Sequence, residues 1–149
     1  MRNIKLTIEY DGTNYAGWQA QGKKHRTIQE TLEKALQIIL GKRTKIAGSG
    51  RTDAGVHAIG QVANFKTDSA LAVEKLQKAL NAVLPDDISV TKAQEARPDF
   101  HSRFSAKSKV YRYTILNRRS RPALLKDTVY FAPYPLNLKL MQKEAGVLL

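Results

Sequence analysis

The strongest constraint on this chain is the order in which its apolar residues switch between a period of two and a period near 3.6. Ile4, Leu6, Ile8 and Tyr10 alternate with Lys5, Thr7 and Glu9, the pattern of a strand with one buried face. Asp11-Gly12 closes that strand in a turn. Thr27-Ile28-Gln29-Glu30 has capping-box spacing, with Thr27 able to cap and Glu30 able to reach back. Behind it Ile28, Leu32, Ala35, Leu36, Ile39 and Leu40 share one helical face up to Gly41. Lys45-Ile46-Ala47 and Gly60–Phe65 read as short strands. A second helix is predicted from about Ser69, with Val73, Leu76, Leu80 and Val83 as its stripe, stopping before Pro85. Ile88 and Val90 mark a fourth strand. The series β-α-β-β-α-β predicts an α+β, ferredoxin-like domain: an antiparallel sheet with both helices on one face.

Beyond it, Phe100–Ala106 reads as an extended connector and Lys109–Leu116 as a strand rich in aromatic and β-branched residues. Val129–Phe131 forms a further short strand, and Leu138, Met141, Ala145 and Leu148 have helical spacing after Asn137. The expected division is a catalytic-loop domain over residues 1–97 and the first part of a second α+β half over 98–149. An apolar stripe that runs to the last residues predicts that this second half is truncated.

Charge narrows the partner. Lys and Arg number 25 against 13 Asp and Glu, a formal net charge of +12, which points to a polyanion. The excess is concentrated. Nine basic residues lie from Arg97 to Lys126 against one acid, Asp99, with smaller clusters at Lys23–Arg26 and Lys42–Lys45. A run so one-sided suits phosphate contacts better than general solubility. Nucleic acid is favoured over membrane, because no segment joins a basic run to a strongly amphipathic helix. With no cysteine there is no disulfide framework and no thiolate metal site. No apolar run approaches spanning length and no signal-like segment opens the chain, so a cytoplasmic location is expected.

The chemistry centres on Gly48-Ser49-Gly50-Arg51-Thr52-Asp53-Ala54-Gly55-Val56-His57-Ala58, a glycine-punctuated loop between two strands that presents Asp53 from a sheet edge. No second carboxylate is close in sequence; Asp11 and Asp68 are the nearest in loops, so a glycosidase pair is disfavoured. A lone aspartate can instead attack a sugar carbon, or deprotonate beside it, where no water has to be activated. Arg51 is placed to favour the ionised form by pairing with it, although such a pair can equally serve only to lock the loop. His57 and His101 with one aspartate make a poor zinc set, so His57 reads as a packing or hydrogen-bonding residue and no metal is expected. Tyr111 and Tyr113 share one face of their predicted strand, where they either pack on the sheet or stack on an extruded base.

Gly50–His57 closely resembles the catalytic signature of the TruA family of tRNA pseudouridine synthases. The resemblance extends to Tyr10–Gln19, Asn81–Pro85, Phe100–Ala106, Tyr111-Arg112-Tyr113 and Arg121-Pro122-Ala123, in family order over nearly the whole chain. It implies an isomerase that converts uridine to pseudouridine in the anticodon arm of tRNA, working as a homodimer and needing no cofactor. Asp53 matches the family's essential aspartate, which either attacks C1′ or removes the 2′ proton. Arg51 matches the arginine that pairs with it and assists extrusion of the nucleotide, and Tyr111 the tyrosine that stacks on the uracil. Family members continue with a second half that supplies the other wall of the cleft.

Two rivals use the same fold. A non-catalytic RNA-binding module explains the charge but not the glycine-framed Arg51–Asp53 loop, and the chain lacks an RNP1-type segment. A small phosphohydrolase ranks lower, because no phosphate-activating site is legible.

Overall fold

The computed structural model describes residues 1–20 and 25–148. The chain forms two compact units, Met1–Lys109 and Val110–Leu149.

In the first unit β1 (Arg2–Tyr10), α1 (Ile28–Leu40), β2 (Ala47–Gly48), β3 (Ala58–Thr67), α2 (Val73–Val83) and β4 (Ile88–Ala96) follow in the expected order. The sheet runs β2-β3-β1-β4 with every neighbouring pair antiparallel, the ferredoxin-like arrangement. The central strand is β1, and its alternation decides the layering. Ile4, Leu6, Ile8 and Tyr10 enter one core with Phe65, Val90, Ile28, Leu32 and Leu36 of α1, and Leu76 and Leu80 of α2. Each fully buried Ile or Leu there stabilises by about 1.5–3 kcal/mol. Both helices feed that core, so the intervening residues Asn3, Lys5, Thr7 and Glu9 belong to the other, open face of the sheet.

The caps follow the sequence closely. Thr27 Oγ1 accepts from the Glu30 amide at 3.3 Å, while the Glu30 carboxylate turns to Lys34 at 3.2 Å. Gly41, at φ 69°, ends α1 in the left-handed conformation. The second helix starts at Val73, four residues later than expected from Ser69. Thr67 Oγ1 accepts from the Ser69 amide and Ser69 Oγ from the Leu71 amide, at 3.1 and 3.2 Å, and these successive turns hold the backbone out of the helix. The β1–β4 register slips between Thr7 and Ile8, leaving Thr91 as the extra residue. There Asn81 of α2 serves both backbone groups of Val90, accepting from its amide at 2.7 Å and donating to its carbonyl at 3.0 Å.

The second unit holds β5 (Ile115–Asn117) parallel to β6 (Tyr130–Ala132), then α3 (Leu138–Ala145) and a final 3-10 turn over 146–148. Asn137 caps α3 by accepting from the Leu140 amide at 3.0 Å. The strand expected over Lys109–Leu116 is corrected here: only Ile115–Asn117 is paired, and Val110–Tyr113 has no strand beside it among the described residues. β propensity alone does not make a strand without a partner to complete the ladder. None of the described helices is long and apolar enough to cross a membrane.

Candidate active site

The loop between β2 and β3 is fixed from two sides. From within, Ser49 donates its amide to Val62 O at 2.7 Å and its hydroxyl to Gln61 Oε1 at 2.7 Å, and Gln61 Nε2 donates to Gly50 O at 2.8 Å. From the facing Tyr10–Gln19 loop, Trp18 donates its amide to Thr52 O at 2.9 Å, and Gly55 donates its amide to Tyr15 O at 3.2 Å. The Tyr10 hydroxyl lies 2.9 Å from Thr52 Oγ1, so Thr52 is held inward. Arg51 and Asp53 flank it, and both are exposed. Asp53 O accepts from the Val56 amide at 3.3 Å, which makes the aspartate the first residue of a tight turn.

Close backbone approach is what makes the two loops one body. Gly17 has φ 93°, and a Cβ there would lie 2.3 Å from Thr52 O. A Cβ on Gly48 would lie 2.5 Å from the ring of Trp18, which is 2% exposed beneath it. Trp18 is thus the floor on which the start of the β2–β3 loop rests.

The far end of the loop is closed by His57, as the hydrogen-bonding reading expects. Its Nδ1 lies 3.2 Å from the Gly12 amide and 3.0 Å from Asp11 Oδ1. Thr13 donates its hydroxyl and then its amide to Asp11, and these two bonds hold that carboxyl below its ordinary value of 3.8. Behind Gly12, Tyr15 donates its hydroxyl to Asp87, and burial first, then that bond, pushes the phenol above its ordinary value. Asp68, the other loop carboxylate, pairs with Lys42 beyond the opposite end of β3. Ten residues of strand place it roughly 33 Å along from the loop.

The ion pair expected between Arg51 and Asp53 is not formed: among the described residues neither side chain joins an ion pair. Both side chains are exposed, on either side of the inward-held Thr52. Arg51 instead lines a cleft of about 390 Å³ together with Ser49, Gln19, His101, Arg103 and Lys109. That volume lies within the range of roughly 300–1,000 Å³ typical of small-molecule sites.

The connector after β4 supplies the opposite rim of this cleft, and it is not the extended segment expected over Phe100–Ala106. Ser105 donates its amide to His101 O at 2.8 Å and its Oγ accepts from the His101 amide at 3.2 Å, closing a turn. The open face of the sheet pulls the chain into that turn. Asn3 Nδ2 donates to Arg97 O and Phe100 O at 2.9 and 2.8 Å. Asn64 Oδ1 accepts from the Ser102 amide at 2.8 Å, and Ser102 Oγ donates to Ala47 O at 2.6 Å. Sequence reading passed over Asn3 and Asn64 as positioning residues. Their signal was an asparagine inside each of two paired strands, where amides are disfavoured unless they have partners.

Of the predicted site residues, Arg51 and Asp53 stand on the first unit. Tyr111 stands in the second, on irregular backbone and 65% exposed. Of the basic cluster Lys23–Arg26, Lys23 and Lys24 fall outside the described residues, while Arg26 lies over the Tyr15 ring at 4.5 Å and near Asp87 at 3.7 Å.

The first unit is thus a ferredoxin-like sheet that displays an arginine and an aspartate from one cross-bonded loop. A profile of the tRNA pseudouridine synthase family matches residues 6–105, which contain both loops and the connector turn. The chain belongs to the TruA family of tRNA pseudouridine synthases. It is 56% identical over 144 residues to a protein from Caldicellulosiruptor saccharolyticus named tRNA pseudouridine synthase A, covering 97% of this chain and 59% of that one. Relatives with the same name from Thermoanaerobacter sp. (strain X514) and Clostridium botulinum are 48% and 51% identical, over 100% and 96% of this chain and 61% and 58% of theirs. The chain therefore spans about 60% of the length of the curated relatives it matches.

Proposed function

We propose that this chain is the catalytic-loop portion of a tRNA pseudouridine synthase that isomerises uridine in the anticodon arm of tRNA. The observation that carries the reading is the loop pair: Asp53 exposed on a tight turn, beside Arg51, on backbone braced from Trp18, Tyr15 and Gln61. An unpaired carboxylate at an open edge can meet a ribose without first breaking an ion pair.

The reaction breaks the C1′–N1 bond, turns the uracil and forms a C1′–C5 bond. N1 gains a proton and the hydrogen on C5 leaves to solvent, so the product is an isomer and neither oxidant nor water is consumed. Asp53 either attacks C1′ directly or takes the 2′ proton. The nucleotide must first leave its stack, at a cost of a few kcal/mol. Arg51, free of Asp53, is available to the displaced strand or its phosphate, and Tyr111 is the residue to stack on the uracil. In this reading residues 1–97 carry the catalytic loop and 98–149 open the second half of a homodimeric, cytoplasmic enzyme. The tRNA is held by shape and backbone through the basic surface.

Tritium release from tRNA transcribed with uridine labelled at C5 tests the proposal. Release by this chain, or by the chain extended to the length of its relatives, should vanish in Asp53→Asn. If neither form releases tritium while RNA still binds, the synthase reading falls and the binding-module reading replaces it.

A further inference from the structure

The cleft beside the catalytic loop has a composition that the proposed chemistry at Asp53 does not use. Three cations line it, Arg51, Arg103 and Lys109, with His101 beside them, and no acidic residue lines it among the described residues. None of the three cations joins an ion pair among the described residues. Like charges gathered without counter-charge repel one another, and an anion entering the cleft relieves that repulsion. Lys109 is held against the loop itself: its Nζ lies 3.5 Å from where a Cβ on Gly50 would stand. Arg103 is presented by the connector turn that Asn64, Ser102 and Ser105 close. His101 Nδ1 accepts from the Arg103 amide at 3.2 Å, which leaves Nε2 to carry the proton of the neutral ring and to donate.

A nucleobase fits the cleft poorly. The Trp18 ring lies under Gly48 and is 2% exposed, and the His101 ring already stacks on Phe104 at 4.5 Å between centroids. Among the described residues that line the cleft, the one large aromatic ring, Trp18, is buried, whereas base binding of a single strand depends on an open aromatic face. The donors suit phosphate oxygens instead: a guanidinium that can bind two at once, a compact ammonium, and an imidazole N–H.

We infer that the cleft formed by Arg51, Arg103, Lys109 and His101 is a phosphodiester site that takes a backbone phosphate of the RNA strand delivering its nucleotide to Asp53. The inference rests on the synthase reading for the identity of that strand. Arg51 belongs to both places, lining the cleft from two residues before Asp53. The phosphate thus sets which sugar of the strand reaches the carboxylate. Arg103 and Lys109 are positioning residues, acting on the reaction through the strand they hold.

The test is a salt titration of binding to an anticodon stem-loop RNA by this chain and by an Arg103→Gln/Lys109→Gln double variant. Both residues are exposed, so the fold should survive. The slope of log K against log salt should become shallower by about one or more. A series of stem-loops, each with one neutral methylphosphonate linkage, should then reveal a linkage whose replacement weakens the parent chain but not the double variant. Arg103→Lys with Lys109 intact should restore most of the slope. An unchanged slope, or losses that add at every linkage, would overturn the site. The outcome is separable from that of the synthase reading. A shallower slope without Asp53-dependent tritium release keeps the phosphate site and removes the synthase; an unchanged slope with release intact does the reverse.

Discussion

Asp53 and Tyr111 are carried by backbone of very different kinds. Around Asp53, every second or third residue from Ser49 to His57 hands a backbone or side-chain group to Gln61, Val62 or the Tyr10–Gln19 loop. Around Tyr111, Val110 is 92% and Tyr113 89% exposed, and pairing in the second unit begins only where Thr114 O accepts from the Tyr130 amide at 2.7 Å. The aspartate is preorganised by its own unit, and the tyrosine is not. In the proposed function Asp53 is the reactive carboxylate, which must be held to a fraction of an ångström, and such precision comes from backbone that has no alternative arrangement. A stacking ring tolerates more, since its partner is a whole base.

The comparison breaks most visibly if the floor is removed. Trp18→Ala deletes a 2%-exposed ring from beneath Gly48 and should destabilise the first unit by about 3–5 kcal/mol. Urea denaturation followed by far-UV circular dichroism reads that loss. A change below about 1 kcal/mol would mean that the loop pair stands without its floor.

Asn64→Ala probes the second brace. It orphans the buried Ser102 amide and takes a donor from Asn3 Oδ1, at about 1–3 kcal/mol for a lost buried partner. The connector lies on the open face and can peel away alone, so the effect should be local. Hydrogen exchange at the Ser102 amide should accelerate by about tenfold or more while the core helices keep their protection. Uniform acceleration throughout the unit would instead make Asn64 a member of the global core.

Tyr15 ties the facing loop to Asp87, and its effect depends on pH. Its phenol is raised above the ordinary value of 10.0 by burial and by the Asp87 bond. The folded state therefore favours the protonated form. The stabilisation is complete below pH 10 and drains away as pH climbs from there through the raised folded value. Tyr15→Phe should cost about 1 kcal/mol at neutral pH and flatten the alkaline decline. Parallel alkaline profiles for parent and variant would assign that decline to another group.

What could be read in advance divides along the same line. The core of the first unit was legible because Ile4, Leu6 and Ile8 alternate strictly and α1 carries its cap and stop, so local preference and global burial agree. The glycines at 48, 50 and 55 marked the loop, and Gly48 proved to be a packing requirement set by Trp18. The Arg51–Asp53 pair was expected from spacing alone. Spacing placed the two charges near each other but could not register the long-range bond from Tyr10, 42 positions earlier, that fixes Thr52 between them, nor that no ion pair forms across it among the described residues. The connector turn was invisible for a similar reason: it depends on Asn3 and Asn64 meeting Phe100 and Ser102 across the sheet. The strand over 109–116 failed because aromatic and β-branched residues report a surface suited to pairing, and pairing needs a partner.

Tyr111 gives the smallest structural effect and sharpens the comparison most. Its side chain is 65% exposed on irregular backbone, so Tyr111→Ala should change the unfolding free energy by less than about 0.5 kcal/mol. The synthase reading asks for a loss of tritium release from that same substitution, whereas stacking on a flipped base is worth about 1–3 kcal/mol. Phe at 111 keeps the ring and should retain most of what Ala loses. A destabilisation of about 2 kcal/mol or more in Tyr111→Ala would show that the ring packs in a core, and the contrast between the two segments would then collapse. Undiminished release from the Ala variant would leave the segment's exposed aromatics without a part in the chemistry. Silence in stability joined to loss in turnover separates a residue that serves the substrate from one that serves the fold.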